Sequence, residues 1–341
     1  MKKILLVYNP FAGNRRFKHV IDDFVEVAQT AGYNVHLLRA TDDFARESAI
    51  AGLNASYAAV VVAGGDGTAN FVVNSLKHHK KNIPLGVLPT GTANGFSNYL
   101  KTPKSPREAA EALIKGRVIA ADLGLVNGRY FINSGGGGLF NDISHNLTLE
   151  TNSKRIFGKA AYLMNGIAHL FKIKPFPLKI TTPNQTIEEE FSLFIAMNSR
   201  ISGGFKHMAP KASIDDGKLD FVAFRAASLG ELMGILPKLL RGKHLDDRRF
   251  LYLCEESIKI VPASNRKIIT DVDGEPGPKM PFNITCEMGA QPLIVPAMYD
   301  RYPREVLANT LAEYSPLKRK PAPKLQEDLF EVVRKERAND A

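Results

Sequence analysis

The chain has 341 residues, 44% of them hydrophobic, and sets 45 Lys+Arg against 35 Asp+Glu for a formal charge of +10. So much apolar material excludes a disordered chain, and two cysteines exclude a disulfide scaffold and fit a reducing cytoplasm. No apolar run approaches the ~20 residues of a membrane span, while the surplus positive charge predicts an anionic partner: nucleic acid, a phosphate-bearing ligand or an anionic membrane surface.

Met1-Lys2-Lys3 before Ile4–Tyr8 looks superficially like a secretion signal, but the apolar run stops at Asn9-Pro10 and no small-residue cleavage site follows. The segment reads instead as a strand buried on both faces. Phe17–Ala31 has helical spacing and ends at Gly32. Tyr33–Leu38 reads as a strand, Asp42–Leu53 as a helix with Thr41 as N-cap, and Ala58–Ala63 as a strand. Ala69–His79 reads as a helix, Ile83–Leu88 as a strand and Pro106–Lys115 as a helix with Pro at its start and Gly116 after its end. Strands alternating with helices predict a doubly wound parallel sheet.

After Ala121 the pattern changes. Leu123–Val126 and Arg129–Ile132 flank Asn127-Gly128, a strong two-residue hairpin signal. Strand-like segments follow at Leu178–Thr182, Phe191–Met197, Leu219–Phe224, Ser257–Val261, Lys267–Val272 and Phe282–Cys286. Helical stretches at Gly158–Phe171 and Leu229–Leu240 interrupt them. The expectation is an α/β nucleotide-binding domain over 1–122, a mainly antiparallel β domain over 123–292 and a Pro- and Lys-rich appendage over 313–341. That appendage holds 7 Lys+Arg and 6 Asp+Glu, so the charge excess belongs to the rest of the chain.

The most informative segment is Val62-Ala63-Gly64-Gly65-Asp66-Gly67-Thr68-Ala69-Asn70. A buried strand ends in a Gly-rich turn that opens a helix, where unpaired N–H groups can meet a phosphate. It is neither a GxGxxG fingerprint nor a Walker A sequence, and one such loop alone is equally an ordinary tight turn. Asp66 would repel a phosphate unless Mg2+ or ordered water lay between them. Two further loops, Asn9-Pro10-Phe11-Ala12-Gly13 and Leu88-Pro89-Thr90-Gly91-Thr92-Ala93-Asn94, follow other strands of the same expected sheet. Their shared position at the carboxyl edge favours a nucleotide or phosphate site.

Asn9-Pro10-x-x-Gly13, Gly64-Gly65-Asp66-Gly67-Thr68-x-Asn70 and Pro89-x-Gly91-Thr92-x-Asn94 resemble the signature of the diacylglycerol kinase catalytic fold, a group that includes bacterial soluble lipid kinases and the sphingosine and ceramide kinases. The resemblance runs to about Pro296 through Gly203-Gly204, Ala209-Pro210-x-Ala212, Asp216-Gly217-x-Leu219-Asp220 and Asp273-Gly274-Glu275. Gly-Gly-Asp-Gly alone is shared with NAD kinases and phosphofructokinases. The resemblance implies an N-terminal Rossmann-like nucleotide domain, completed by about 293–312, and a C-terminal mainly antiparallel β-sandwich, as in NAD kinase and diacylglycerol kinase-like folds.

The same resemblance implies an ATP- and Mg2+-dependent lipid kinase that transfers the γ-phosphate to a lipid hydroxyl, diacylglycerol-like or sphingoid-like. ATP would meet Asn9, Pro10, Gly13, Thr41, Gly64, Gly65, Asp66, Gly67, Thr68, Asn70, Gly91, Thr92 and Asn94, with Asp66 organising catalytic Mg2+ through water. Glu275 would be the general base; taken by itself it reads as a solvated turn residue. Asp216, with the carbonyls of Ser213 and Lys218, would hold a second Mg2+; by itself Asp216-Gly217 reads as a turn. Two departures, Phe71 and Gly95 where many members carry acids, keep a non-catalytic nucleotide- or lipid-binding protein as an alternative, and an NAD kinase-like enzyme that shares the fold is a second.

A cytoplasmic protein in peripheral contact with a lipid substrate at an anionic membrane surface is expected, and a homodimer is compatible with it. The Leu229–Leu240 stretch with Lys238, Arg241, Lys243, Arg248 and Arg249 either packs its Leu face on a sheet or lies on a bilayer. Arg15-Arg16-Lys18 and Lys77…Lys80-Lys81 either face phosphates or are solvated. Nucleic acid is disfavoured, because no recognised binding motif accompanies the charge. The histidines and cysteines have no metal-ligand spacing, and no Gly-x-Ser-x-Gly elbow is present.

Overall fold

The structure, a computed structural model, describes residues 2–13, 21–40, 43–138, 175–202, 205–225, 229–265 and 267–299, without the side chains of 43–46, 229–233 and 236. The chain divides into two compact units, one formed by the chain up to Ala121 and from Gly289 onward, the other by Asp122–Met288.

The first unit opens with β1 (Lys3–Tyr8), α1 (Ile21–Thr30), β2 (Asn34–Arg39), α2 (Asp43–Ala51), β3 (Tyr57–Gly64) and α3 (Asp66–His78). It continues with β4 (Leu85–Pro89), α4 (Gly95–Tyr99) and α5 (Pro106–Ile114). The strands pair in the order β4-β3-β1-β2, all parallel. Ile4, Leu6, Ala59, Val61 and Ala63 share a core with Phe24 and Ala28 of α1 and Ala109 and Leu113 of α5. Leu5, Val7, Val60 and Val62 are buried too and by the pleat point to the opposite face. Burial on both faces is why these strands read as continuous apolar runs rather than alternating ones.

The second unit's elements, including two strands shared with the first, are β5 (Arg117–Val126), β6 (Arg129–Phe131), β7 (Ser134–Gly137), β8 (Phe176–Thr181), β9 (Thr186–Met197) and β10 (Leu219–Arg225). Then come α6 (Leu229–Leu240), β11 (Phe250–Glu255), β12 (Ser257–Pro262), β13 (Thr270–Val272), β14 (Glu275–Pro276) and β15 (Phe282–Val295). Pairing within this unit is antiparallel, in the order β14-β13-β7-β9-β8-β12-β15, with β10 between β9 and β11. The last residues of β15 return to the first unit, where Leu293 pairs with Leu85 in parallel. Phe131, Phe176, Phe191, Phe194, Phe221 and Phe282 fill one core.

The Asn127-Gly128 turn forms as expected: both residues take positive φ, 48° and 85°, and Val126 pairs with Arg129. Several boundaries differ from the sequence reading. α3 begins at Asp66, three residues before the first residue expected to be helical. β5 starts at Arg117, six residues before the strand expected at Leu123. β13 is only three residues long, and β15 runs on to Val295 past Gly289, which holds a φ of +62°. The strands β7, β11 and β14 and the short helix α4 are additions. The helix expected over Gly158–Phe171 lies outside the described residues, as do Arg15, Arg16, Lys18 and the 313–341 appendage.

In α6, Ile235 and Leu239 sit in a core with Leu193, Ile195, Val222 and Phe224, while Leu240 is exposed; the side chains of Leu229, Leu232, Met233 and Leu236 lie outside the described residues. Lys238 is spent on Asp247 at 2.8 Å. Of the Lys77, Lys80 and Lys81 cluster, Lys77 donates to the Ala290 carbonyl and Lys81 donates to the Leu53 carbonyl at 2.6 Å. Among the described residues no helix is long and apolar enough to cross a membrane.

Candidate active site

In the first unit the ends of β1, β3 and β4 bring three glycines together. A Cβ on Gly13 would stand 2.1 Å from the Thr90 carbonyl oxygen, and one on Gly91 would stand 2.4 Å from the Gly65 Cα. No side chain fits at either place, so the loops touch backbone to backbone. Gly13 also needs its φ of +54°. Gly64 is closed off from the other side, since a Cβ there would lie 2.6 Å from the Thr68 side chain. Gly67 is the second residue of α3 and half-buried.

The polar side chains around these glycines shape the loops. Asn94, at φ +52°, accepts from Gly91 N–H at 2.7 Å and donates to the Gly91 carbonyl at 2.8 Å, which uses both ends of its carboxamide. The Asn9 side chain accepts from Phe11 N–H at 2.9 Å, and Pro10 is buried. Asn70 is buried and its Oδ1 accepts from Asn74 at 3.2 Å. Thr92 is exposed. Thr41 lies outside the described residues.

Asp66 stands at the head of α3 rather than within the loop. Its Oδ2 accepts from Gly95 N–H at 2.9 Å and its Oδ1 from Phe96 N–H at 3.1 Å, so it caps the first turn of α4. Burial pushes its carboxyl above the usual carboxylate range, and the Phe96 and Gly95 N–H groups pull it back. Gly95 meets Asp66 through its backbone N–H and brings no side chain of its own.

In the second unit, Asp273-Gly274 is the two-residue turn of the β13–β14 hairpin, with φ of 51° and 84°. Glu275 is the first residue after the turn, pairs with Val272 and is exposed. Asp271, opposite Pro276, is pushed up to about 7 by burial and then by the neighbouring Asp273 charge, against the pull of Arg129.

A second acidic group gathers at the loop before β10. The Asp216 Oδ1 accepts from Lys218 N–H at 3.0 Å, and Ser213 donates to Asp215 at 2.7 Å. Gly217 N–H donates to Asp122 Oδ2 at 2.6 Å. The buried Asp220 accepts from the Tyr252 hydroxyl. Burial, then Asp220, Asp122 and Asp215, push the Asp216 carboxyl up to about 7. Sequence reasoning named Asp216 but missed Asp122, whose approach rests on a contact 95 residues away in the chain. No local pattern carries that signal.

The model of the diacylglycerol kinase catalytic domain matches residues 3–126, and that of the YegS C-terminal NAD kinase beta sandwich-like domain matches 143–295. Relatives named diacylglycerol kinase include one from Bacillus subtilis (strain 168), 31% identical over 82% of this chain and 92% of its own length. Another, from Staphylococcus carnosus (strain TM300), is 32% identical over 83% of this chain and 91% of its own. A crystal structure of a diacylglycerol kinase from Bacillus anthracis str. Sterne superposes with a TM-score of 0.72 at 26% identity, covering 87% of this chain and 98% of that one. Motifs, fold and these relatives agree: the chain belongs to the diacylglycerol kinase family of lipid kinases.

Proposed function

We propose that this chain transfers the γ-phosphate of ATP to the free hydroxyl of diacylglycerol, with Glu275 as the general base. The observation that carries the nucleotide half is the convergence of Gly13, Gly65 and Gly91. Backbone that no side chain shields can approach polyphosphate closely, and the start of α3 adds N–H groups and the positive end of a helix. The lipid half rests on the family and on relatives that are diacylglycerol kinases by name.

In the transfer the lipid oxygen bonds to the γ-phosphorus as the bond to the ADP oxygen breaks. The hydroxyl proton passes to the Glu275 carboxylate, a group of the right type on an exposed hairpin end. Mg2+, when bound, neutralises charge on the transferring phosphoryl group. The residues suit such an ion. Asp66 accepts one N–H on each oxygen and so keeps lone pairs for a water of hydration. Asp216, with the Ser213 and Lys218 carbonyls, offers the hard oxygen donors a second ion takes. The carboxylates of Asp122, Asp215 and Asp220 raise the Asp216 pKa, a strain that a cation would relieve.

The test is labelled ATP, Mg2+ and the purified protein with vesicles containing diacylglycerol, ceramide, a sphingoid base or a polyprenol. Label in phosphatidic acid is the expected outcome. Label in another lipid alone would overturn the substrate, and label in NAD but in no lipid would overturn the reading altogether.

A further inference from the structure

Glu275 is exposed on a two-residue strand, and a base in such a place needs something to hold it. We infer that Asp273 is a positioning residue that fixes Glu275 for proton transfer. This inference rests on the reading of Glu275 as the base.

The Asp273 carboxylate accepts three successive backbone N–H groups. Oδ2 takes Ile132 N–H at 2.8 Å, and Oδ1 takes Asn133 N–H at 2.9 Å and Ser134 N–H at 2.8 Å. Its own N–H donates to the Ser134 carbonyl at 2.8 Å. Asp273 is 7% exposed and holds a φ of 51°, a conformation that costs most L-residues energy and that Asp and Asn tolerate best. Asp273 therefore ties the hairpin turn to Ile132, Asn133 and Ser134 at four points, three through its carboxylate and one through its backbone N–H.

That segment is itself fixed. The Asn198 carboxamide donates to the Ile132 carbonyl at 3.1 Å and to the Asp122 carbonyl at 2.8 Å. Ser199 donates to the Asn133 side chain, and Ser134 and Ser202 share a hydrogen bond of 3.0 Å. All of these residues are buried. Among the described residues this network is paired except at the Asn198 Oδ1, which is buried without a partner, and paired buried polar groups are rigid because each has no better partner. A hairpin end tied to such a platform presents its next side chain in one place, and displacement by about 1 Å at a reacting centre costs about a hundredfold in rate.

The experiment is a double-mutant cycle with Asp273→Asn and Glu275→Gln. Asn keeps the positive φ and one acceptor oxygen but cannot accept all three N–H groups. Expected for Asp273→Asn are a kcat lower by about 10–100-fold, an unchanged KM for ATP, and faster hydrogen exchange at Ile132, Asn133 and Ser134. In the Glu275→Gln background the same change should cost less than about twofold, because groups that act as a unit are non-additive.

A full-sized loss in that background, or a kcat for Asp273→Asn within about twofold of wild type, overturns the inference. Full activity in Glu275→Gln instead overturns the base assignment, and the exchange rates then report on the anchoring alone. If Asp273→Asn does not fold, Gly274→Ala takes its place. It strains the turn at φ +84° without a clash, and its loss of kcat must also vanish in the Glu275→Gln background.

Discussion

The two units build their sites by opposite means. In the first, the loops meet where side chains are absent: Gly13 on Thr90, and Gly91 on Gly65. In the second, the turn and loop that matter are held by buried carboxylates, with Asp273 on three N–H groups and Asp122 on Gly217. Close backbone approach suits a ligand that is itself a dense anion. Carboxylate anchors suit a site that must present a base or gather oxygens around a cation. Asp66 crosses this division, because it is a carboxylate anchor, on Gly95 and Phe96, among glycine loops.

The contrast breaks most sharply at Gly91. Gly91→Ala forces a Cβ to within 2.4 Å of Gly65 Cα, and overpacking of this kind costs about 1–3 kcal/mol. Calorimetric titration with ATP should show affinity lower by up to about a hundredfold. Gly32→Ala is the control: its φ of +86° makes it strained, but nothing lies within 4 Å. It should lower Tm and leave ATP affinity unchanged. Equal ATP affinity in Gly91→Ala would remove the glycine contact from the account.

Asp216→Asn probes the other principle. At a Mg2+ concentration tenfold above its Kd, binding to the folded state adds about 1.4 kcal/mol, about 3–6 °C in Tm for a unit of this size. The wild type should show that rise in a melt and Asp216→Asn should not. A rise of the same size in the variant would place the cation elsewhere.

The smallest effect is set by His244, a buried residue that owes its position to the Met208 carbonyl, 3.0 Å from Nε2, and to the Phe250 ring. Burial holds its pKa below the usual value, the Met208 bond opposes this, and His207 adds to it. The unfolded chain therefore takes up the proton first as pH falls. Stability is full above the unfolded pKa of about 6.5 and declines as pH drops below it toward the folded pKa. Chemical denaturation at pH 8 and pH 5.5 should show the loss, and His244→Leu should reduce the difference while lowering stability at pH 8.

Much of this was legible in the residues. The parallel strands β1, β3 and β4 announce themselves because burial on both faces needs unbroken apolar runs, and Asn127-Gly128 because only positive φ closes a two-residue turn. β7 was not legible. Ser134–Gly137 has no strand propensity, and it pairs because its glycines let the Phe194 carbonyl to within 2.4 Å of where a Gly136 Cβ would be. Asp66 was read as a loop residue because its cap partners are 29 and 30 residues away. Asn94 has the chemistry of a ligand residue, and only coordinates reveal that Gly91 occupies both ends of it. The sequence motif names Glu275; it says nothing of what Asp273 holds.

The proposed role of Glu275, on the β13–β14 hairpin, is that of general base in phosphate transfer from ATP to a lipid hydroxyl. Its most direct test is Glu275→Gln, assayed for both phosphate transfer to diacylglycerol and ATP affinity. Transfer lower by at least about a hundredfold, with ATP affinity unchanged, is the predicted result. Transfer at the wild-type rate would contradict the account.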